Sequence, residues 1–267
     1  MSKPRRQKSP VTAKKQLGQH FLTDESIIRR IVQAIAPNPH AAFLEIGPGL
    51  GAITLPMLSE CKRLTVIELD TRVIPLLRAN AALIGTLEII EADVLTVDFN
   101  ALLGDKPWHV FGNLPYNIST PILFALCPVQ SIVDMVFMLQ KEVVERMDAQ
   151  TGEPAYGRLS VMLQQYFDVA YLFDVPATAF SPPPKVTSAM VSLKRLPQPR
   201  WQVNDNQVFS AVVKQAFSMR RKTLRNALKP IMDAETLAAL GVDADLRAEK
   251  IDGAIFAKIA NALSVKS

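Results

Sequence analysis

The 267-residue chain is 49% hydrophobic and 21% charged, with 11 Gly and 19 Pro, which excludes a disordered, collagen-like or disulfide-stapled chain. Its net charge is +5, and every apolar stretch is broken by a charge or Pro before the ~18 residues that a bilayer span requires. The N-terminus lacks the apolar middle of a secretory signal, so a globular cytoplasmic protein with reduced cysteines is expected.

Residues 1–18 read as a basic flexible tail: Lys3, Arg5, Arg6, Lys8, Lys14 and Lys15 occur there without an acid. A helix is predicted next, capped by Thr23 or Asp24, with Ile27, Ile28, Ile31, Val32 and Ile35 on one face and Pro37 ending it. Apolar runs at 41–46, 64–69, 87–91, 109–112 and 135–139 read as strands separated by helix-length segments. They are too apolar for half-exposed strands, so a parallel sheet buried on both faces by helices is expected. Runs at 171–175 and 189–193, joined through Ser181-Pro182-Pro183-Pro184, suit an antiparallel pair. Beyond 197–204 the pattern changes, with Phe209, Val212, Val213, Ala216 and Phe217 at helical spacing and no further strand-like run. The predicted division is a tail over 1–18, a sheet domain over 19–198 and a small helical domain over 199–267.

Charge follows the same division. Residues 16–195 carry 13 Lys/Arg against 18 Asp/Glu, whereas 196–267 carry 11 against 7. Within 206–232, Lys214, Arg220, Arg221, Lys222, Arg225 and Lys229 occur with no acid. Basic ends around an acidic middle suit a polyanion held at the edges of a catalytic body. Taken alone, each basic patch is also explained as a tail or a solvated helix.

Three strand ends carry candidate chemistry. At the first, Leu44-Glu45-Ile46-Gly47-Pro48-Gly49-Leu50-Gly51 places glycines where a tight turn lets a ligand lie against the backbone. Glu68 ends the second strand, 21 residues beyond Gly47, where a carboxylate accepts two hydrogen bonds from a ribose diol. The glycine spacing departs from the dinucleotide fingerprint G-x-G-x-x-G and favours a ligand without pyrophosphate, such as S-adenosylmethionine. Asp93, after the third strand, is placed to receive the amine of its adenine, although Asp is also common in plain loops.

The fourth strand leads into Phe111-Gly112-Asn113-Leu114-Pro115-Tyr116-Asn117-Ile118-Ser119-Thr120-Pro121. Asn113 offers a side-chain carbonyl, the stretch of Leu114 and Pro115 a backbone carbonyl, and Tyr116 an aromatic face, the parts needed to hold a planar base bearing an amino group. An adenine amine is a poor nucleophile because its lone pair is delocalised into the ring. Acceptors on its N–H bonds hold the nitrogen closer to tetrahedral and aim the lone pair at a methyl donor. The bland alternative is an Asn-capped turn with a packing Tyr. Lys141-Glu142-Val143-Val144-Glu145-Arg146 reads as an exposed helix face, and Arg158, in Tyr156-Gly157-Arg158-Leu159-Ser160, as a loop arginine able to contact RNA. The scattered His20, His40, His109, Cys61 and Cys127 give no metal-ligand spacing, and no metal is expected.

Taken together, several stretches resemble the bacterial small-subunit ribosomal RNA adenine dimethyltransferases. They are Leu17-Gly18-Gln19-His20-Phe21-Leu22, the glycine turn at 45–51, Val66-Ile67-Glu68-Leu69-Asp70, the segment 111–121, Phe180-Ser181-Pro182-Pro183-Pro184-Lys185 and its continuation to Ser188, and 217–226. The resemblance implies an α/β, Rossmann-like S-adenosylmethionine-dependent methyltransferase sheet whose last strand is antiparallel, with a small all-helical C-terminal domain. It implies transfer of two methyl groups to the N6 of each of two adjacent adenosines near the 3′ end of 16S ribosomal RNA, in the small subunit or its precursor. His20, Leu22, Gly47, Glu68, Asp93 and Asn113 would then hold the methyl donor, with Asn113, Leu114, Pro115 and Tyr116 at the target base. Many members carry Asn where this chain has His20, whose imidazole also donates a hydrogen bond. Arg220, Arg221, Lys222 and Arg225 are the expected RNA contacts, and a monomer with no membrane partner is expected. A second reading is a ribosome-assembly binding factor with methylation secondary. A nicotinamide oxidoreductase would share the glycine turn and distant acid, but the glycine spacing and Asn113-Leu114-Pro115-Tyr116 count against it.

Overall fold

The structure, a computed structural model, describes residues 20–219 and 221–264. The basic tail, Leu17-Gly18-Gln19 and Arg220 therefore lie outside the described residues. The chain begins with the short strand β1 (Phe21–Leu22) and the helix α1 (Glu25–Ile35). Asp24 caps α1 by accepting from the Ser26 and Ile27 N–H groups, and Ile31 and Ile35 are its buried face.

There follow β2 (Ala42–Ile46), α2 (Thr54–Cys61), β3 (Arg63–Glu68), α3 (Ile74–Ala81), β4 (Thr86–Glu91), α4 (Phe99–Leu103), β5 (Trp108–Asn113), α5 (Ser119–Leu126) and β6 (Ile132–Gln140). Next come α6 (Lys141–Asp148), α7 (Arg158–Gln164), β7 (Phe167–Val175), β8 (Phe180–Ser181) and β9 (Ser188–Arg195). The sheet has seven strands in the order β4-β3-β2-β5-β6-β9-β7. Strands β4 to β6 are mutually parallel, and β9 runs antiparallel between β6 and β7.

Central strands are apolar because helices cover both faces. One core contains Leu44, Val110, Ile122, Phe137 and Val191; the other contains Phe43, Val66, Phe111, Met138 and Met190. The expectation of full burial fails at β4, one of the two edge strands. Strand β4 alternates between exposed and half-buried residues, and β7 is exposed at every second position along most of its length. An edge strand lacks a neighbour on one side, and the covering helices thin out there.

The order of strands fixes where a ligand sits. From β2 the chain proceeds to β3 on one side, while β5 pairs on the other. Their carboxyl ends diverge into a crevice, the usual ligand position in open parallel sheets. Gly112 of β5 is packed so closely on β2 that a Cβ there would stand 2.4 Å from the Ile46 carbonyl oxygen.

Beyond β9 the chain is helical: α8 (Asn206–Ala216), α9 (Leu224–Leu228), α10 (Ala234–Ala239) and α11 (Gly253–Ser264). Phe209, Val213, Leu224 and Phe256 form a third core. That core also takes in Ala149, Tyr156, Val161 and Met162, from α7 and the loop before it. The linker is pinned to the sheet region: the buried Gln165 donates to the Trp201 carbonyl and accepts from its N–H, and Arg200 pairs with Asp168 at 2.6 Å. Cys61 and Cys127 are free and buried. No described helix is long and apolar enough to cross a membrane.

Candidate active site

The crevice encloses a cavity of 390 Å³. Its floor is the turn after β2, where Gly47, Gly49 and Gly51 have φ of 70°, 55° and 87°. At Gly47 this conformation lets the N–H reach back to the Ile67 carbonyl at 3.0 Å, tying the turn to β3. Glu68 closes the far side of the turn. Its carboxylate accepts from Gly49 N–H at 3.0 Å and from Asp70 N–H at 2.7 Å. Each oxygen accepts only one of these bonds and so keeps a lone pair for a diol. Burial raises the Glu68 carboxyl above its ordinary range, against the pull of these backbone donors.

Glu45, one residue before the end of β2, is the acid that residue reasoning passed over. It is 1% exposed, and burial pushes its carboxyl up to about 8, opposed by the neighbouring Thr54 hydroxyl and reinforced by the charge of Glu68. Glu45 Oε2 and Thr54 Oγ1 nevertheless have no hydrogen-bond partner. An acid inside the otherwise apolar run Ala42–Ile46 was the signal that something must face it.

At the β4 end, Asp93 accepts from Leu95 N–H at 3.0 Å through Oδ1, leaving its second oxygen for an amine. Leu69 and Leu95 line the same cavity and are 49% and 43% exposed, apolar walls for a flat ring.

The roof comes from both ends of the sheet domain. Strand β1 pairs with β8, Phe21 opposite Ser181 and Leu22 opposite Phe180. Thr23 N–H bonds the Ala179 carbonyl at 2.8 Å, and His20 Nδ1 lies 2.8 Å from the Pro182 carbonyl. A carbonyl only accepts, so Nδ1 carries the proton of that bond. The segments around His20 and Ser181 thus form one lid over the turn, with the Phe21 ring 3.6 Å from where a Cβ on Gly49 would stand.

Asn113, the last residue of β5, donates through Nδ2 to the His20 carbonyl at 3.4 Å, so its Oδ1 remains an acceptor. The Pro115 carbonyl is taken by Ile118 N–H at 3.1 Å and the Tyr116 carbonyl by the Ser119 hydroxyl at 3.3 Å. Leu114 donates its N–H to the Met138 carbonyl at 3.2 Å; among the described residues its own carbonyl has no partner. The free backbone carbonyl of this loop is therefore that of Leu114, beside Pro115. The Tyr116 hydroxyl is 2.7 Å from Ser188 Oγ, and its ring stacks with His20 at 6.0 Å and 24°. Burial raises the Tyr116 phenol, keeping it neutral.

The residues present fit S-adenosylmethionine. Glu68 would accept from a diol, Asp93 would accept from an exocyclic amine, and the orphaned oxygen of Glu45 would suit a cationic tail. His20, Leu22, Gly47, Glu68, Asp93 and Asn113, together with Leu114, Pro115 and Tyr116, all line this one cavity. Among the described residues no cluster of metal-ligating side chains occurs.

The cationic segment is built differently from the helix face that its charge pattern suggested. After α8 a short turn, Phe217–Met219, leads to exposed Arg221 and Lys222, before the five-residue α9. Thr223 bridges to Arg247, which brings a further cation beside the turn. Arg225 pairs with Asp245 at 2.9 Å, both largely exposed; its partner lies within the helical region and not in the acidic middle. On α6, Val143, Val144 and Met147 are buried and Lys141 pairs with Asp174 at 2.9 Å, so only its polar side is an exposed face.

The profile of ribosomal RNA adenine dimethylase matches residues 11–264. A relative from Dichelobacter nodosus, ribosomal RNA small subunit methyltransferase A, is 52% identical over 257 residues, covering 96% of this chain and 97% of its own. Its namesake from Xanthomonas euvesicatoria pv. vesicatoria is 53% identical, covering 93% of this chain and 95% of its own. Among solved structures, a dimethyladenosine transferase from Plasmodium falciparum is similar with a TM-score of 0.79 at 25% identity, covering 92% of this chain and 98% of that one. The 23S rRNA methyltransferase ErmE shares the fold, with a TM-score of 0.71 at 23% identity over 91% of this chain and 99% of its own. The chain belongs to the ribosomal RNA adenine dimethylase family and is an S-adenosylmethionine-dependent RNA adenine dimethyltransferase.

Proposed function

We propose that the substrate is the small ribosomal subunit or its precursor, and that the enzyme dimethylates the N6 amines of two adjacent adenosines near the 3′ end of 16S ribosomal RNA. The observation that carries the reading is the pair of uncommitted acceptors, Asn113 Oδ1 and the Leu114 carbonyl, at the end of β5 and facing the cavity that Glu68 and Asp93 also line. S-adenosylmethionine, when bound, supplies an electrophilic methyl group on a sulfonium. His20, Leu22, Gly47, Glu68, Asp93 and Asn113 hold it, Glu68 at the ribose and Asp93 at the adenine.

Asn113 Oδ1 and the Leu114 carbonyl accept the N–H bonds of the target amine and hold its lone pair toward the donor, while Pro115 shapes the turn and Tyr116 stacks on the base. No strong base is required, because alignment and electrostatic fit to the transition state do the work. The sheet domain, 19–198, carries this chemistry. The helical domain, 199–267, and the tail, 1–18, dock on RNA through cations, with Arg220, Arg221, Lys222 and Arg225 as the face. The protein acts as a monomer in the cytoplasm, where the subunits assemble. Mass spectrometry of ribosomal RNA from cells lacking the protein tests the reading: both dimethyladenosines near the 3′ end should be absent, and their persistence would refute it.

A further inference from the structure

Arg195, the other half-buried arginine among the described residues, and the more exposed Arg72 and Arg200 all have hydrogen-bond acceptors. Arg72 bonds Asp70 through Nε and Nη2. Arg195 donates to the carbonyls of Ile132, Cys127 and Val129. Arg200 donates to the Gln164 carbonyl and to Asp168. Arg158 is different. It is half-buried at the start of α7, its Nε is buried with no hydrogen-bond partner, and its contact is with the Phe124 ring, 4.8 Å from the centroid. Among the described residues it enters no ion pair. A guanidinium is always charged, and a buried N–H without an acceptor calls for one.

The backbone beneath it is fixed. Ser160, fully buried, accepts from Gly157 N–H at 3.0 Å and donates to the Arg146 carbonyl at 2.5 Å. Phe124 lies on α5, the helix that follows the Asn113–Tyr116 loop. Two residues before Arg158, Tyr156 meets Phe217 edge-on at 6.1 Å, and Phe217 begins the turn that leads to Arg221 and Lys222. Arg158 therefore stands where the helix of the catalytic loop meets the root of the cationic turn.

We infer that Arg158 binds a backbone phosphate of the substrate RNA between the target-adenosine pocket and the Arg221-Lys222 turn, with Phe124 holding its planar fork in place. The inference rests on the RNA substrate proposed above and extends the docking face into the sheet domain. Arg158→Met keeps the packing of the stem on Phe124 and removes the charge. Its binding to small subunits, measured across a salt series, should weaken about tenfold and lose about 0.7–0.9 from the log–log slope, with S-adenosylmethionine affinity unchanged. Labelling of the unmodified protein with phenylglyoxal, read by mass spectrometry, gives a second measurement that does not depend on the variant folding: the subunit should protect Arg158. An unchanged slope in folded Arg158→Met, or equal labelling of Arg158 in the free and bound protein, would overturn the inference alone. A wild-type protein that does not bind the subunit would overturn the substrate reading beneath it.

Discussion

At the methyl-donor cavity Glu68 and Asp93 are held by backbone N–H groups, whereas Arg221 and Lys222 are exposed cations between short helical segments. Glu68 is fixed by two backbone N–H groups before any ligand arrives, and Glu45 is sealed within β2. Arg221 and Lys222 stand in solvent between short helical segments. The first arrangement fixes acceptors in place before a ligand arrives; the second leaves charges free to follow a flexible polyanion. Substitutions in the two regions should therefore fail in different measurements.

The largest expected effect is at Glu45. In the unfolded chain its carboxyl titrates near the ordinary 4.5, and burial pushes it up to about 8 in the folded protein. The folded pKa is raised, so the stability of the unliganded protein is highest below 4.5 and is lost as pH climbs through 8. The loss is on the order of 5 kcal/mol, judged from the size of that displacement. Glu45→Gln should flatten this part of the stability profile, read as Tm of the unliganded protein across a pH series. A variant with the same slope as wild type would mean that Glu45 ionises without penalty.

Asn113→Ala should lower turnover by about 10²–10³, comparable to removing one donor from an oxyanion hole, while RNA affinity changes little. Equal losses in turnover and RNA affinity would make Asn113 a binding residue only.

How much of this was readable beforehand differs between the same two regions. The runs that became β2 to β6, the glycine turn and Glu68 are local patterns, a short apolar run with a glycine or an acid at its end. The lid formed by β1 and β8 was not readable from periodicity. Two-residue strands have no period, and Phe21 and Ser181 are brought together only by the folded sheet. Resemblance found His20 and Leu22 where spacing did not. The pairing of Arg225 with Asp245 depends on the bridge between Thr223 and Arg247, a long-range contact that charge counting misses. The sequence predicts burial for β4 because its apolar residues match those of its central neighbours, whereas the strand lies at the sheet edge.

Glu68→Ala sharpens the comparison on the acidic side. It removes the acceptor for the ribose and leaves Gly49 and Asp70 N–H groups without theirs, so affinity for S-adenosylmethionine should fall by about 2–3 kcal/mol in calorimetry. Unchanged affinity would remove Glu68 from the site. On the cationic side, Arg221→Gln with Lys222→Gln should leave methyl-donor affinity intact. The salt slope of subunit binding should drop by about 1.4–1.8 for the pair. Loss of donor binding in that double variant would erase the distinction between the two regions.

The central claim is tested most directly by incubating undermethylated small subunits with the purified enzyme and isotopically labelled S-adenosylmethionine, then mapping the label by mass spectrometry. Dimethylation of two adjacent adenosines near the 3′ end of the RNA, abolished in Asn113→Ala, is the expected result. Label on any other nucleotide, or an Asn113→Ala enzyme that fills both adenosines at the wild-type rate, would contradict it.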